Sequence, residues 1–111
     1  MKYEGKNIGI LGLGKSGYWS AKLAKSLNNN VFVSDSNENV NQIFIDDLKM
    51  LGVELEIGDH SNQILKSDII IKSPGIPNNS KILRKINAER IPVISEIEFA
   101  GNLSKSKNIC I

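Results

Sequence analysis

The sequence predicts a doubly wound α/β fold: a five-stranded parallel sheet in the order 3-2-1-4-5, with helices on both faces. Three observations predict it. Short apolar runs alternate with helix-period stretches along all 111 residues, the signature of βαβ units around a parallel sheet. Two runs, Ile8-Gly9-Ile10-Leu11 and Ile69-Ile70-Ile71, are apolar throughout, as strands covered on both faces must be. Gly12, Gly14 and Gly17 then give G-x-G-x-x-G between the first run and the first helical pattern, where such folds turn from strand to helix. Right-handed crossovers leave the doubly wound arrangement as the natural solution.

In order, Ile8 to Leu11 is the first strand and Ser16 to Leu27 the first helix. Ser20, Leu23, Ala24 and Leu27 form its inward stripe, Lys22 and Lys25 point to water, and the small Gly17, Ala21 and Ala24 permit close packing. Asn28-Asn29-Asn30 ends it, because Asn tolerates the left-handed conformation. Val31 to Val33 is the second strand, stopped by Ser34-Asp35-Ser36-Asn37. Val40, Phe44, Leu48 and Leu51 recur at helical spacing, with Gly52 as a stop. Val53 to Ile57 alternates with Glu54 and Glu56, as an edge strand would. A short helical turn over Asn62 to Lys66 leads to the fourth strand, Ile69 to Ile71. Ser80 to Glu89 is a third long helix, with Ile82, Leu83 and Ile86 inward and Lys81, Arg84 and Lys85 outward. Val93 and Ile94 make the fifth strand, Ser95 to Leu103 a brief helix, and Asn108 to Ile111 the start of another strand.

Bulk properties narrow the function. The net charge of +2 comes from 14 basic and 12 acidic residues spread along the chain, so no nucleic-acid surface is expected. The lone Cys110 excludes an internal disulfide and fits a reducing compartment; lying in the apolar run Asn108 to Ile111, it reads as a small buried hydrophobe. No targeting signal or membrane span is visible, which leads to the expectation of a soluble, cytoplasmic chain.

In the doubly wound order, the loops after strands one and four flank the switch point where ligands bind. Gly12 to Gly17 and Ser73-Pro74-Gly75-Ile76-Pro77 are therefore expected to face each other, with Asp35 closing the other side. The glycine turn offers backbone N–H groups and the positive end of a helix dipole, which implies a nucleotide or sugar phosphate. Lys15 could add a charge, although the backbone alone would suffice. Asp35 lies 18 residues past Gly17, near the offset of about 20 at which an acidic residue meets a ribose in dinucleotide folds; spacing alone leaves ribose and base both open. Pro74 and Pro77 stiffen the opposite loop, and Gly75 lets a ligand come close. Ser95 and Glu98 read as a capping box, His60 as a surface turn, and Tyr18 and Trp19 as packing or partner surface.

Taken together, Gly12-Leu13-Gly14-Lys15-Ser16-Gly17, Ser73-Pro74-Gly75-Ile76-Pro77 and Ile94-Ser95-Glu96-Ile97-Glu98, with Asp35 between them, resemble the N-terminal, Rossmann-like domain of the Mur ligases. The likeness is greatest to the D-glutamate-adding members of peptidoglycan synthesis and covers nearly the whole chain. It implies that residues 1–94 bind the UDP end of UDP-N-acetylmuramoyl-L-alanine, through Gly14, Lys15, Ser16 and Gly17 at the diphosphate and Asp35 and Ser36 at the uracil. Ser73, Gly75 and Ile76 would form the opposite wall. Asn37 stands where members can carry a basic residue, so no role is carried over to it. The family's reaction uses ATP and Mg2+ to make an acyl phosphate that the amine of D-glutamate attacks. Residues 95–111 would then be the linker helix and first strand of a truncated ATP-binding domain. In that family the ATP-binding P-loop follows a strand like Asn108-Ile109-Cys110-Ile111, where this sequence stops, so this fragment is expected to contain no catalytic residue, cofactor or metal of its own and to be inactive alone. Its partners would be the substrate and the enzyme's central and C-terminal domains. The competing reading is a nicotinamide-dinucleotide-binding domain of an oxidoreductase or regulatory sensor.

Overall fold

The structure, a computed structural model, describes residues 4–77 and 79–104. Five strands, β1 (Asn7–Leu11), β2 (Asn30–Asp35), β3 (Glu54–Ile57), β4 (Ile69–Lys72) and β5 (Val93–Ser95), run parallel in the order β3-β2-β1-β4-β5. They are joined through α1 (Lys15–Ser26), α2 (Gln42–Met50), a 3-10 turn (Asn62–Lys66) and α3 (Lys81–Ala88), and α4 (Glu96–Ser104) follows β5 directly. The predicted fold and strand order are both present.

The period-two alternation of the central strands divides the core in two. Ile8, Ile10, Val31, Val33 and Ile71 share one face, in register as Ile8↔Val31, Ile10↔Val33 and Ile10↔Ile71. Ala21 and Ala24 of α1, Leu48 of α2 and Phe99 of α4 cover that face. Leu11 and Ile70 point the other way, under Ile64 of the 3-10 turn and Ile82, Leu83 and Ile86 of α3. Each such aliphatic side chain contributes on the order of 1.5–3 kcal/mol on burial, so the two layers clamp β1 and β4 from both sides. At Gly9 the 3-10 turn rests on bare backbone: a Cβ there would stand 2.5 Å from Ser67 Oγ and 2.8 Å from Ile64 Cδ1.

Several elements differ from the sequence expectation in extent. β2 continues through Ser34 and Asp35, because Ser34 pairs with Leu11 and Asp35 with Ile57; pairing on both sides holds polar residues that read as a turn. α2 is shorter than its apolar stripe: Asn41 caps it by accepting from the Ile43 N–H at 2.9 Å, leaving Val40 before the helix and Leu51 after it. α3 has eight residues, with Ser80 and Glu89 as its flanking caps. Asn28 takes the left-handed conformation at φ 65°, as expected of the Asn run. Asn29 is buried, its amide donating to the Ala24 carbonyl and its Oδ1 accepting from the Lys6 N–H. Lys22 and Lys25 are half-buried rather than free in water. The Lys22 ammonium lies 4.9 Å from the Trp19 ring centre and 3.6 Å from Asp47. The strand expected over Asn108 to Ile111, with Cys110, lies outside the described residues.

α4 packs back onto the sheet. Phe99 is 1% exposed and sits in the larger core beside α1. Phe99→Ala is expected to lower global stability by about 3–5 kcal/mol, read from chemical denaturation. An unchanged midpoint, with loss of helix signal alone, would show that α4 is an appendage to the unit.

Candidate functional site

Three strand ends meet at one edge of the sheet, and backbone hydrogen bonds knit their loops together. The Gly12 N–H donates to the Ser34 carbonyl at 2.9 Å, and the Ser73 N–H donates to the Leu11 carbonyl at 3.0 Å. The three motif glycines have three different surroundings. Gly12 has φ +96°, and a Cβ on it would meet Ser73 Cβ at 2.7 Å, so the loops after β1 and β4 touch there. Gly17 is buried in the first turn of α1, where a Cβ would stand 2.1 Å from the Gly12 carbonyl oxygen. Gly14 has nothing within 4 Å of its Cβ position. Two glycines are thus required by packing, and the third faces open space.

Gly14 is also the N-cap of α1, and no side chain caps this helix. The first helical hydrogen bond runs from the Tyr18 N–H to the Gly14 carbonyl at 2.9 Å, which leaves the Lys15, Ser16 and Gly17 N–H groups without intrahelical partners. Lys15 and Ser16 are exposed, and no acidic residue lies in the first turn. Chemically, this is an open set of donors at the positive end of a helix dipole.

Asp35 does more than the spacing argument foresees. Its Oδ2 accepts from the Leu13 N–H at 2.7 Å and its Oδ1 from the Asn37 N–H at 2.8 Å. The carboxylate therefore braces the glycine loop from the end of β2, and it retains acceptor capacity beyond these two bonds. Ser36 and Asn37 are exposed beside it. Across the edge, Ser73 closes a turn in which its carbonyl accepts from the Ile76 N–H at 3.1 Å. Pro74 and Gly75 are exposed on that turn, while Ile76 packs partly into the second core layer. The structure thus gathers Gly14, Lys15, Ser16, Gly17, Asp35, Ser36, Ser73, Gly75 and Ile76 along one edge, as the topology requires.

Other expectations need correcting. His60 is not a free surface turn: its Nδ1 lies 2.6 Å from the Oγ of fully buried Ser34. Ser34 Oγ also donates to Glu56 Oε2 at 2.9 Å, and the Ser61 N–H donates to the same oxygen at 2.9 Å. Burial pushes the Glu56 carboxyl up, but the hydrogen bonds from Ser61 and Ser34 and the proximity of His60 outweigh it and hold the group below its usual range. This cluster fixes the end of β2 against β3. Tyr18 is packing, stacked on Phe44 at 4.3 Å with its hydroxyl on the Asp47 carboxylate, whereas Trp19 is 57% exposed. Ser95 Oγ accepts from the Glu98 N–H at 2.9 Å, one half of the expected capping box.

Glu96 is the residue that sequence reasoning missed. It is 8% exposed, while its neighbour Ile97 is 84% exposed. The capping pattern drew attention to Glu98, but helical spacing places Glu96 on the inward face with Phe99, three residues on. Burial pushes the Glu96 carboxyl up, with a hydrogen bond from the Ser16 side chain and the charge of Lys72 opposing that shift. Glu96, Ser16, Trp19, Leu23 and Phe99 line a groove of about 660 Å3 between α1 and α4. Among the described residues there is no cluster of His, Cys, Asp and Glu able to hold a metal, and no helix long and apolar enough to cross a membrane.

Fold and site together define a doubly wound domain with an open, uncapped helix start at its switch point. The chain belongs to the family of Mur ligase MurD-like N-terminal domains, whose model matches residues 6–95. It is 45% identical over 107 residues to a UDP-N-acetylmuramoylalanine–D-glutamate ligase of Bacteroides thetaiotaomicron, a match covering 96% of this chain and 24% of that one. A ligase of the same name from Bacillus cytotoxicus is 38% identical over 111 residues, covering 98% of this chain and 25% of the relative. The chain thus spans about a quarter of the length of the curated relatives it matches. Among solved structures, the UDP-N-acetylmuramate–alanine ligase MurC of Thermotoga maritima superposes with a TM-score of 0.75 at 21% identity, over 87% of this chain and 22% of that one. A 3-hydroxyacyl-CoA dehydrogenase of Archaeoglobus fulgidus gives 0.64 at 19%, over 81% and 33%. Likeness in fold therefore extends to ligase and dehydrogenase alike, and these sequence relatives are the ones that favour the ligase side.

Asp35→Asn places an amide N–H2 where the carboxylate accepts backbone donors; a loss of about 1–3 kcal/mol and an upfield shift of the Leu13 amide proton are expected. Glu56→Gln tests the edge cluster through pH. A carboxyl held below its usual range stabilises the fold above that range and ceases to do so as pH falls through the lowered value. The variant is expected to melt below the parent at neutral pH and to approach it in acid.

Proposed function

We propose that this chain is the UDP-binding N-terminal domain of an ATP-dependent ligase that adds D-glutamate to UDP-N-acetylmuramoyl-L-alanine. The observation that carries the reading is Gly14: open space over an uncapped helix start, in a chain whose sequence relatives are ligases named for that substrate. In this reading the Lys15, Ser16 and Gly17 N–H groups receive the diphosphate. Asp35, with Ser36, takes the uracil, its carboxylate accepting the base N3–H with the capacity left over from Leu13 and Asn37. Ser73, Gly75 and Ile76 form the facing wall. Residues 1–94 carry the ligand-contacting loops, and residues 95–111, whose helix α4 packs on the same sheet, lead toward the remainder of a longer, cytoplasmic enzyme. ATP and Mg2+ belong to that remainder and supply carboxylate activation there; the residues of this chain bind and orient the nucleotide end.

Two glycine variants test the reading. Gly14→Ala puts a methyl into empty space, so the stability loss should stay near the roughly 0.5–1 kcal/mol by which Ala is a poorer N-cap than Gly. Its affinity for UDP-N-acetylmuramoyl-L-alanine should nevertheless fall on the order of tenfold, about 1.4 kcal/mol. Gly17→Ala meets backbone at 2.1 Å and should lose about 1–3 kcal/mol of stability or more. In the parent chain, amide shifts at Lys15, Ser16, Gly17 and Ser36 should follow UDP-N-acetylmuramoyl-L-alanine and UDP. The same shifts with NADH, and none with UDP, would overturn the reading in favour of a dinucleotide domain.

A further inference from the structure

Glu96 is a buried carboxyl to which the binding reading gives no task. Its Oε2 has no hydrogen-bond partner and is closed off from solvent. That same atom lies 3.5 Å from the position a Cβ would take on Gly17, so it is aimed at the first turn of α1 from behind. An unpartnered buried polar atom is costly, and more so when charged, a cost the fold meets here beside its open donors.

Among the described residues, few charges surround Glu96. Lys72, at the end of β4, is the cation whose field reaches the carboxyl, and the Ser16 hydroxyl on α1 opposes the effect of burial on it. Lys22 of α1 lines the same groove but is engaged with Asp47. Lys15 at the helix start and Glu98 on α4 are exposed. A diphosphate on the Lys15–Gly17 donors would bring roughly two negative charges to the other side of the turn that Glu96 faces. Like charges across a water-poor turn are relieved when one of them takes a proton.

We propose that Glu96 is a proton-linked positioning residue of the anion site: its carboxylate takes up one proton from solvent when a diphosphate binds at the first turn of α1, and returns it when the ligand leaves. The proposal rests on the substrate reading above. In the loaded state Oε2 carries the proton and the repulsion across the first turn of α1 is gone. Burial already favours the neutral form before any ligand arrives.

The test is calorimetric titration of the full 111-residue chain with UDP-N-acetylmuramoyl-L-alanine, in buffers of different ionisation heat, between about pH 5 and about pH 8. This ligand is a diphosphate diester, so it lacks the terminal phosphate of UDP, whose pKa near 6 would confuse the profile. Affinity is expected to fall as pH rises, with a limiting slope of about tenfold per pH unit for one linked proton, accompanied by net proton uptake. Glu96→Gln should bind with that component of the slope and uptake removed. The carboxyl carbon of Glu96, followed by NMR in the unaltered chain, should titrate at higher pH in the complex than in the free chain, which decides the matter even if the variant fails to fold. Binding with identical pH profiles in parent and variant, or a carboxyl carbon unmoved by the ligand, overturns the proposal and leaves the substrate reading standing. Absence of binding at every pH removes both.

Discussion

The arrangement at the sheet edge depends on how closely the first turn of α1 approaches the end of β1. With 2.1 Å between the Gly12 carbonyl oxygen and the place a Cβ would occupy on Gly17, only glycine permits that approach. It lets the chain reverse within a few residues and enter a helix over the same sheet it has just left. It also leaves Gly14, between the two packed glycines, with nothing above it. Exposed N–H groups at the switch point follow from the packing constraint, with no side chain needed to make them.

Around this turn, the neighbouring strands supply rigidity. Asp35 holds the Leu13 N–H from one side, and Ser73 presses against Gly12 from the other. β2 itself is anchored at its end by the buried Ser34 hydroxyl, through Glu56 and His60 of the β3 side. A donor set fixed in this way loses little freedom when an anion arrives, the usual advantage of a preformed site. Glu96 stands behind the same turn from α4, so the helix that follows β5 is part of the setting and not an attachment to it.

The features legible in the sequence are those with a period or a fixed turn chemistry. Continuous apolar runs mark β1 and β4, alternation with glutamate marks the β3 edge, and G-x-G-x-x-G places the strand-to-helix turn. Harder to see were polar residues whose position is set by partners distant in sequence. Ser34 and Asp35 look like a turn, yet pairing with Leu11 and Ile57 keeps them in β2. His60 looks exposed until Ser34, 26 residues earlier, is found beneath it. Glu96 is hidden because its inverted exposure, glutamate in and Ile97 out, emerges only once α4 is docked through Phe99. The offset of Asp35 marks it as a candidate, but its bond to the Leu13 amide depends on the curl of the glycine loop, which no spacing rule describes.

The most direct measurement is a crystal structure of this chain with UDP-N-acetylmuramoyl-L-alanine bound. Diphosphate oxygens are expected within hydrogen-bond distance of the Lys15, Ser16 and Gly17 N–H groups, and uracil between Asp35 and the Gly75 turn. A ligand seated instead in the groove between α1 and α4, with the glycine loop empty, would contradict this expectation.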